Sequence, residues 1–133
     1  MSLTQQHDEL TQAFNLLWAD RTPVDWANVQ FDMPANGSWA RFRILDGDSN
    51  QLTIGATTNS HRHVGVIVVS LFTELGKGDA TIIALADIVA DGFRNWIGSY
   101  SHCRQPSIKE IGPDGQGWYQ INVSIPFSRD ELY

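Results

Sequence analysis

His61 and His63, two positions apart, and the adjacent pair His102 and Cys103 are the residues whose types could do chemistry. Positions two apart share a face in an extended chain, so His61 and His63 could offer two imidazoles to a zinc ion, with His102 and Cys103 joining after folding. No zinc-motif spacing closes that set, and histidines at the mouth of a strand serve equally as surface or interface groups. A nucleophile is the second candidate chemistry, since Ser99, Ser101 and Cys103 flank His102. Adjacent residues of an extended chain point apart, however, and no oxyanion-type glycine motif accompanies them. Asp46, Asp48 and Asn50 match the first ligand positions of a calcium loop, but Gln51 stands where that loop needs glycine and Thr57 where it needs a bidentate glutamate. A turn built on Asp46-Gly47 is expected there instead. Lys77 falls outside any phosphate-loop frame. The expectation is a protein with no catalytic residue, no metal and no cofactor.

The composition points the same way. The chain has 133 residues, 42% hydrophobic and 18% charged, which describes a globular protein and predicts a single domain over 1–133. Nine Lys and Arg against fifteen Asp and Glu give a net charge of −6, unfavourable for gripping a phosphate backbone, so no specific nucleic-acid binding is expected. A lone cysteine excludes an intrachain disulfide and suits a reducing compartment. The longest mostly apolar run, Val64–Phe72, is far short of a membrane span, and no basic region followed by an apolar core opens the chain. A soluble, unexported protein without a membrane partner is expected.

The elements that would position these residues follow from periodicity. Leu3, Leu10, Phe14, Leu17 and Trp18 form a helical stripe that ends near Asp20, because Pro23 disfavours helix at Thr22. From Arg21 to Ser38 the chain reads as a long connection carrying Val24, Trp26, Val29, Phe31 and Met33, the last three alternating as in a strand. Ser38–Leu45 and Gln51–Gly55 flank the expected turn as a hairpin, with Ala40, Phe42 and Ile44 toward the core and Trp39, Arg41 and Arg43 outward. His61–Glu74 is β-branched and nearly continuous, the mark of a central buried strand. Asp79 should cap a second helix whose stripe is Ile82, Leu85, Ala86, Val89, Phe93 and Trp96. Gly98–Gln105 is a polar connector. A closing hairpin then pairs Ser107–Ile111 with Gly117–Phe127 across a Pro113-Asp114-Gly115 turn, and at Pro126 its second strand should end or become an edge. Together these predict an α+β fold, a single antiparallel or mixed β-sheet of about five strands with helices packed on one face.

The run ALADIVADGFRNW at Ala84–Trp96, the segment PSIKEIG from Pro106, and GWYQINVSIPF from Gly117, followed by Arg129, Asp130 and Glu131, resemble the small tail proteins of long-tailed phages and prophages. In particular they resemble the lambda-type tail terminator, or tail completion, family of minor tail proteins. The resemblance is carried by Asp79 to Glu131, and the first half follows by element order.

That resemblance implies a structural protein of the virion tail, assembled in the bacterial cytoplasm as a homo-oligomeric, hexameric ring. Such a ring caps the completed tail tube, stops its polymerisation and meets two partners, the tail tube protein and the head connector protein. Ring formation needs a patch on one subunit to meet a different patch on the next. The candidates are Trp26 and Phe31 in the long connection, Trp39 with Arg41 and Arg43, and the terminal Arg129, Asp130 and Glu131, since Trp and Arg dominate interface energetics. Two other readings are open: a monomeric head–tail adaptor or binding module on the same fold, and a small enzyme using His61, His63 and His102.

Overall fold

The computed structural model describes residues 3–34, 37–51, 54–55 and 60–132, with side chains omitted at 48–50 and 131–132. Helix α1 spans Leu3–Trp18, and its residues Gln6, Leu10, Phe14 and Trp18, four apart, form the buried stripe. Its end is a left-handed pair, Ala19 and Asp20 at φ 48° and 58°, where helix can no longer propagate. Strand β1 is only Val24–Asp25, β2 runs Trp39–Gln51 and β3 runs Ser60–Glu74. Helix α2 covers Ala80–Phe93, and β4 (Ser101–Cys103), β5 (Ser107–Pro113) and β6 (Trp118–Leu132) complete the chain.

These strands form one six-stranded sheet in the order β1-β2-β3-β6-β4, with β5 also paired to β6. All pairings are antiparallel except the parallel β1 with β2, so the sheet is mixed and the fold α+β. The β-branched run from Val64 lies at the centre as β3, held between β2 and β6. Both helices cover one face. There Ala40, Phe42, Ile67, Val69, Leu71, Ile121, Val123, Ile125 and Phe127 pack against Leu10, Phe14, Trp18, Ile82, Leu85, Val89 and Phe93 in the main core.

Four local expectations are corrected. The turn at Asp46–Asn50 does not form: β2 continues through it, opposite β3, with a bulge between Asp46 and Ser49. β3 runs on through His63, Arg62 and His61 as the paired partner of Ser49 to Gln51, this pairing outweighs the local turn preference, and Gly47 takes no left-handed φ. The reversal instead falls between Gln51 and Ser60, and Thr57 lies outside the described residues. Val29 to Met33 form no strand. Helix α2 stops at Phe93, before Trp96; Asp79 is its N-cap as expected, its carbonyl accepting Ile83 N at 3.0 Å, without a side-chain cap bond. Finally, β6 passes through Pro126 to Leu132. The proline is tolerated because its missing N–H falls where β6 changes neighbours, from β5 at Ser124 to β4 at Phe127, and its carbonyl still accepts Arg104 N at 2.8 Å.

Candidate assembly interface

Alternation along β2, β3 and β6 leaves a second sheet face that, among the described residues, no helix covers. The register aligns Trp39 with Phe72 and Gln120, Arg41 with Ser70 and Asn122, Arg43 with Val68 and Ser124, and Leu45 with Val66 and Pro126. At one end of this face lies a separate aromatic cluster. Trp39 stacks on Phe72 at 4.0 Å between ring centroids and 8° between planes, Trp118 meets Trp39 edge-on at 6.1 Å, and Phe31 leans on it at 5.2 Å. Such geometry adds to the stabilisation from area burial alone. Trp39 therefore points to the predicted face yet is buried, 1% exposed, because the loop bearing Phe31 folds over it and Phe72 supports it from β3. Among the described residues its Nε1 has no hydrogen-bond partner.

Arg41 and Arg43 stand beside that cluster on the same face. Asp25, held by β1 opposite Arg41, accepts Arg41 Nε at 3.2 Å and forms an ion pair with Arg43 Nη2 at 3.2 Å. Arg43 Nη1 also donates to the backbone oxygens of Asp25, at 2.7 Å, and Phe42, at 2.9 Å. The Arg41 guanidinium lies over Trp39 and Phe72, 5.5 and 5.3 Å from their centroids. Two guanidiniums on one carboxylate leave a net positive charge at this end of β2.

Trp26 sits on the helix side, packed on Phe14 at 5.8 Å and Phe42 at 5.6 Å. The connection from Trp26 to Phe31 thus wraps the border of the sheet from one face to the other. A groove of about 420 Å³ opens beside it, lined by His7, Thr11, Trp26, Val29, Phe42 and Ile44 among others.

At the other end of β2, the terminal residues of β6 divide. Asp130 pairs with Arg62 of β3, which donates from Nε at 2.8 Å and Nη2 at 3.1 Å. The hydrogen bond, with the guanidinium's charge, holds the Asp130 carboxyl below its ordinary range and pushes Arg62 up. Arg129 corrects the reading of it as an outward group. It is 5% exposed and its Nε donates to Gln6 Oε1 at 2.8 Å, while Gln6 Nε2 donates to Asp46 Oδ1 at 2.8 Å. Glu131 lies where side chains are not described. Sequence reasoning missed this polar relay, although both signals were present. Gln6 falls in register with Leu10, Phe14 and Trp18, and Arg129 continues the alternation of Ile121 to Phe127.

The groups suited to catalysis are not gathered. Strand register puts His61 and His63 on the helix side, aligned with Glu131 and Arg129, and His102 with Ser128 on the opposite side. Cys103 is buried, and burial pushes its thiol up to about 12, with Glu9 adding to the shift. Glu9 itself accepts the backbone N–H groups of Tyr100 and Ser101 and ties α1 to β4. Among the described residues, no three His, Cys, Asp or Glu side chains stand together as a metal ion requires. The arrangement is one of surfaces and edges, suited to assembly.

Comparison with known proteins agrees. A family profile described as phage tail terminator protein matches residues 3–127. No curated protein matches the chain. A solved structure without a functional name shares the fold, with a TM-score of 0.66, 20% identity and 96% of each chain covered.

Proposed function

Because the chain belongs to the phage tail terminator protein family, we propose that it caps the end of a long tail tube as a ring of identical subunits, stops tube polymerisation and presents the surface to which the head connector binds. Membership assigns a structural role in tail assembly, among other tail and head proteins, as a component of the virion tail. The match over residues 3–127 carries the proposal, since it covers both helices and all of the sheet but the last five residues of β6. Six subunits is the number proposed.

Three physical features support this reading. A helix-free sheet face with arginines at one end offers contact area that a solitary domain leaves open. The interface candidates still partly exposed after folding, Arg41, Arg43, Trp26, Phe31 and Asp130, lie at the borders of the sheet or on that face. A net charge of −6 also suits a ring through which DNA passes without being gripped, because phosphate contacts would retard it.

Sedimentation over a wide concentration range, with and without magnesium, tests the ring, and negative stain tests its closure. The expected species is a closed ring, formed free or on purified tail tubes, that prevents further tube growth when added to polymerising tube protein. Tubes that lengthen unchecked in its presence would overturn the capping role. A monomer that binds the tail end without limiting length would establish the adaptor reading.

A further inference from the structure

The sheet has two open borders among the described residues. On one side β1 accompanies β2 only from Ala40 to Arg41, and on the other β5 pairs with β6 and no strand lies beyond it. Backbone groups alternate in direction along a strand. Ala40 N donates outward to Pro23 O, so Phe42, Ile44 and Asp46 also turn their N–H and C=O groups to the border. The Phe42 carbonyl is covered by Arg43 Nη1, and the open edge therefore begins at Ile44. In β6 the carbonyls of Trp118 and Pro126 receive bonds from Asp114 N and Arg104 N, so the even-numbered residues face β5. Their partners Ser107 and Lys109 turn inward, which leaves Ile108 and Glu110 facing the border.

The two borders match in direction and length. Following the antiparallel pairings across the sheet, β2 and β5 run in opposite directions, so a copy rotated about an axis along the strands brings them together antiparallel. Pro106 and the bulge between Glu110 and Gly112 bound the free stretch of β5, while Arg43 and the bulge between Asp46 and Ser49 bound that of β2. Glu110, aligned with Ile121, projects to the helix side as Asp46 does, away from Arg41 and Arg43 on the helix-free face. Ile108, 45% exposed, projects to the helix side as Ile44 does, and Ile44 borders the apolar groove there. Lys109 opposes the arginines and keeps a single junction weak, as suits a contact completed only by closure.

We infer that β2 of one copy pairs with β5 of a second copy of this chain, so that the subunits share one sheet. This rests on the ring reading above and assigns it a junction. The contact is heterologous, one border meeting a different one, and closes only by rotation.

Two border variants and one label test it. Ile108→Pro and Ile44→Pro each remove one border-facing N–H. Sedimentation should show each variant assembling at least tenfold more weakly than wild type, and their equimolar mixture should form dimers, since each keeps one working edge. In case Ile44→Pro does not fold, hydrogen exchange on wild type gives the same answer: the Ile44 and Ile108 amides should exchange at least tenfold more slowly in the assembly than in dilute monomer. A ring on tail tubes whose Ile44 and Ile108 amides exchange as in the monomer overturns the junction and leaves the ring. Assembly lost with Ile44→Pro but unchanged with Ile108→Pro also overturns it, in favour of a two-fold pairing of β2 with itself. Wild type that neither assembles nor caps tubes overturns junction and ring together.

Discussion

Arg129 Nε donates to Gln6 Oε1 at 2.8 Å, joining the last strand to the first helix across 123 positions of sequence. Both side chains are buried, at 5% and 1% exposure, and Gln6 extends the connection to Asp46 of β2. His7 closes the series on the Asp46 Oδ2 oxygen at 3.1 Å. A charged group taken out of water is tolerable only when hydrogen-bonded, so the Gln6 bond helps α1 lie over the ends of β2 and β6.

Replacing Gln6 should therefore cost more than its size suggests. Gln6→Leu removes an acceptor from a buried guanidinium and a donor from Asp46, and should destabilise the fold by about 2–3 kcal/mol, the scale of a lost hydrogen bond to a charged group. Arg129→Met should be less costly when Gln6 is already Leu than when it is Gln. Urea unfolding of the four proteins in that cycle measures the coupling, and strict additivity would show that the two residues act independently.

Gly65 is required by close approach of neighbours. A Cβ there would lie 2.6 Å from Phe127 Cζ and 2.7 Å from the Leu45 carbonyl oxygen. The ring can move, but the paired backbone of β2 cannot. Gly65→Ala should cost about 1–3 kcal/mol in urea unfolding, the usual range for overpacking. Adding Phe127→Leu should not restore stability, because the contact with the Leu45 carbonyl remains.

The Arg62–Asp130 pair makes stability depend on acid pH. Asp130 has its pKa lowered in the folded state, first by the hydrogen bond from Arg62. The unfolded chain thus binds this proton at a higher pH than the native one. The pair's contribution is present above about pH 3.9, the ordinary aspartate value, and is lost as pH falls through the folded value. Asp130→Asn should remove that portion of the acid slope in urea midpoints. The change should be small and salt-sensitive, since the Asp130 side chain is 47% exposed and water screens the pair.

Cys103 should report global unfolding. Its thiol is buried and pushed up to about 12, so almost no thiolate exists near neutral pH. Labelling by an aromatic disulfide reagent should be at least a hundredfold slower for the native protein than in strong denaturant, and should quicken in step with the urea transition. Fast labelling without denaturant would mean that β4 opens locally from β6.

Much of the architecture was legible because it depends on short-range period. The stripe from Leu10 to Trp18, the one from Ile82 to Phe93, the β-branched run of β3 and the alternation from Ile121 to Phe127 each state an element and its buried face without reference to any other. Their apolar content also pointed to a helix layer on a sheet, an arrangement that buries every stripe. Where two instructions competed, only the tertiary structure decided. Asp46-Gly47 carries turn chemistry, but β3 extends alongside it and takes it into a strand. Pro126 signals an end, but the exchange of β5 for β4 leaves its missing donor unopposed. Trp39 and Arg129 look outward by type, yet their surroundings come from Phe31, Phe72 and Trp118 for one and from Gln6 for the other, all distant in sequence. Periodicity determines which way a side chain points. What covers it is set by elements that meet only when the chain has folded, and so are the borders left open for a second copy.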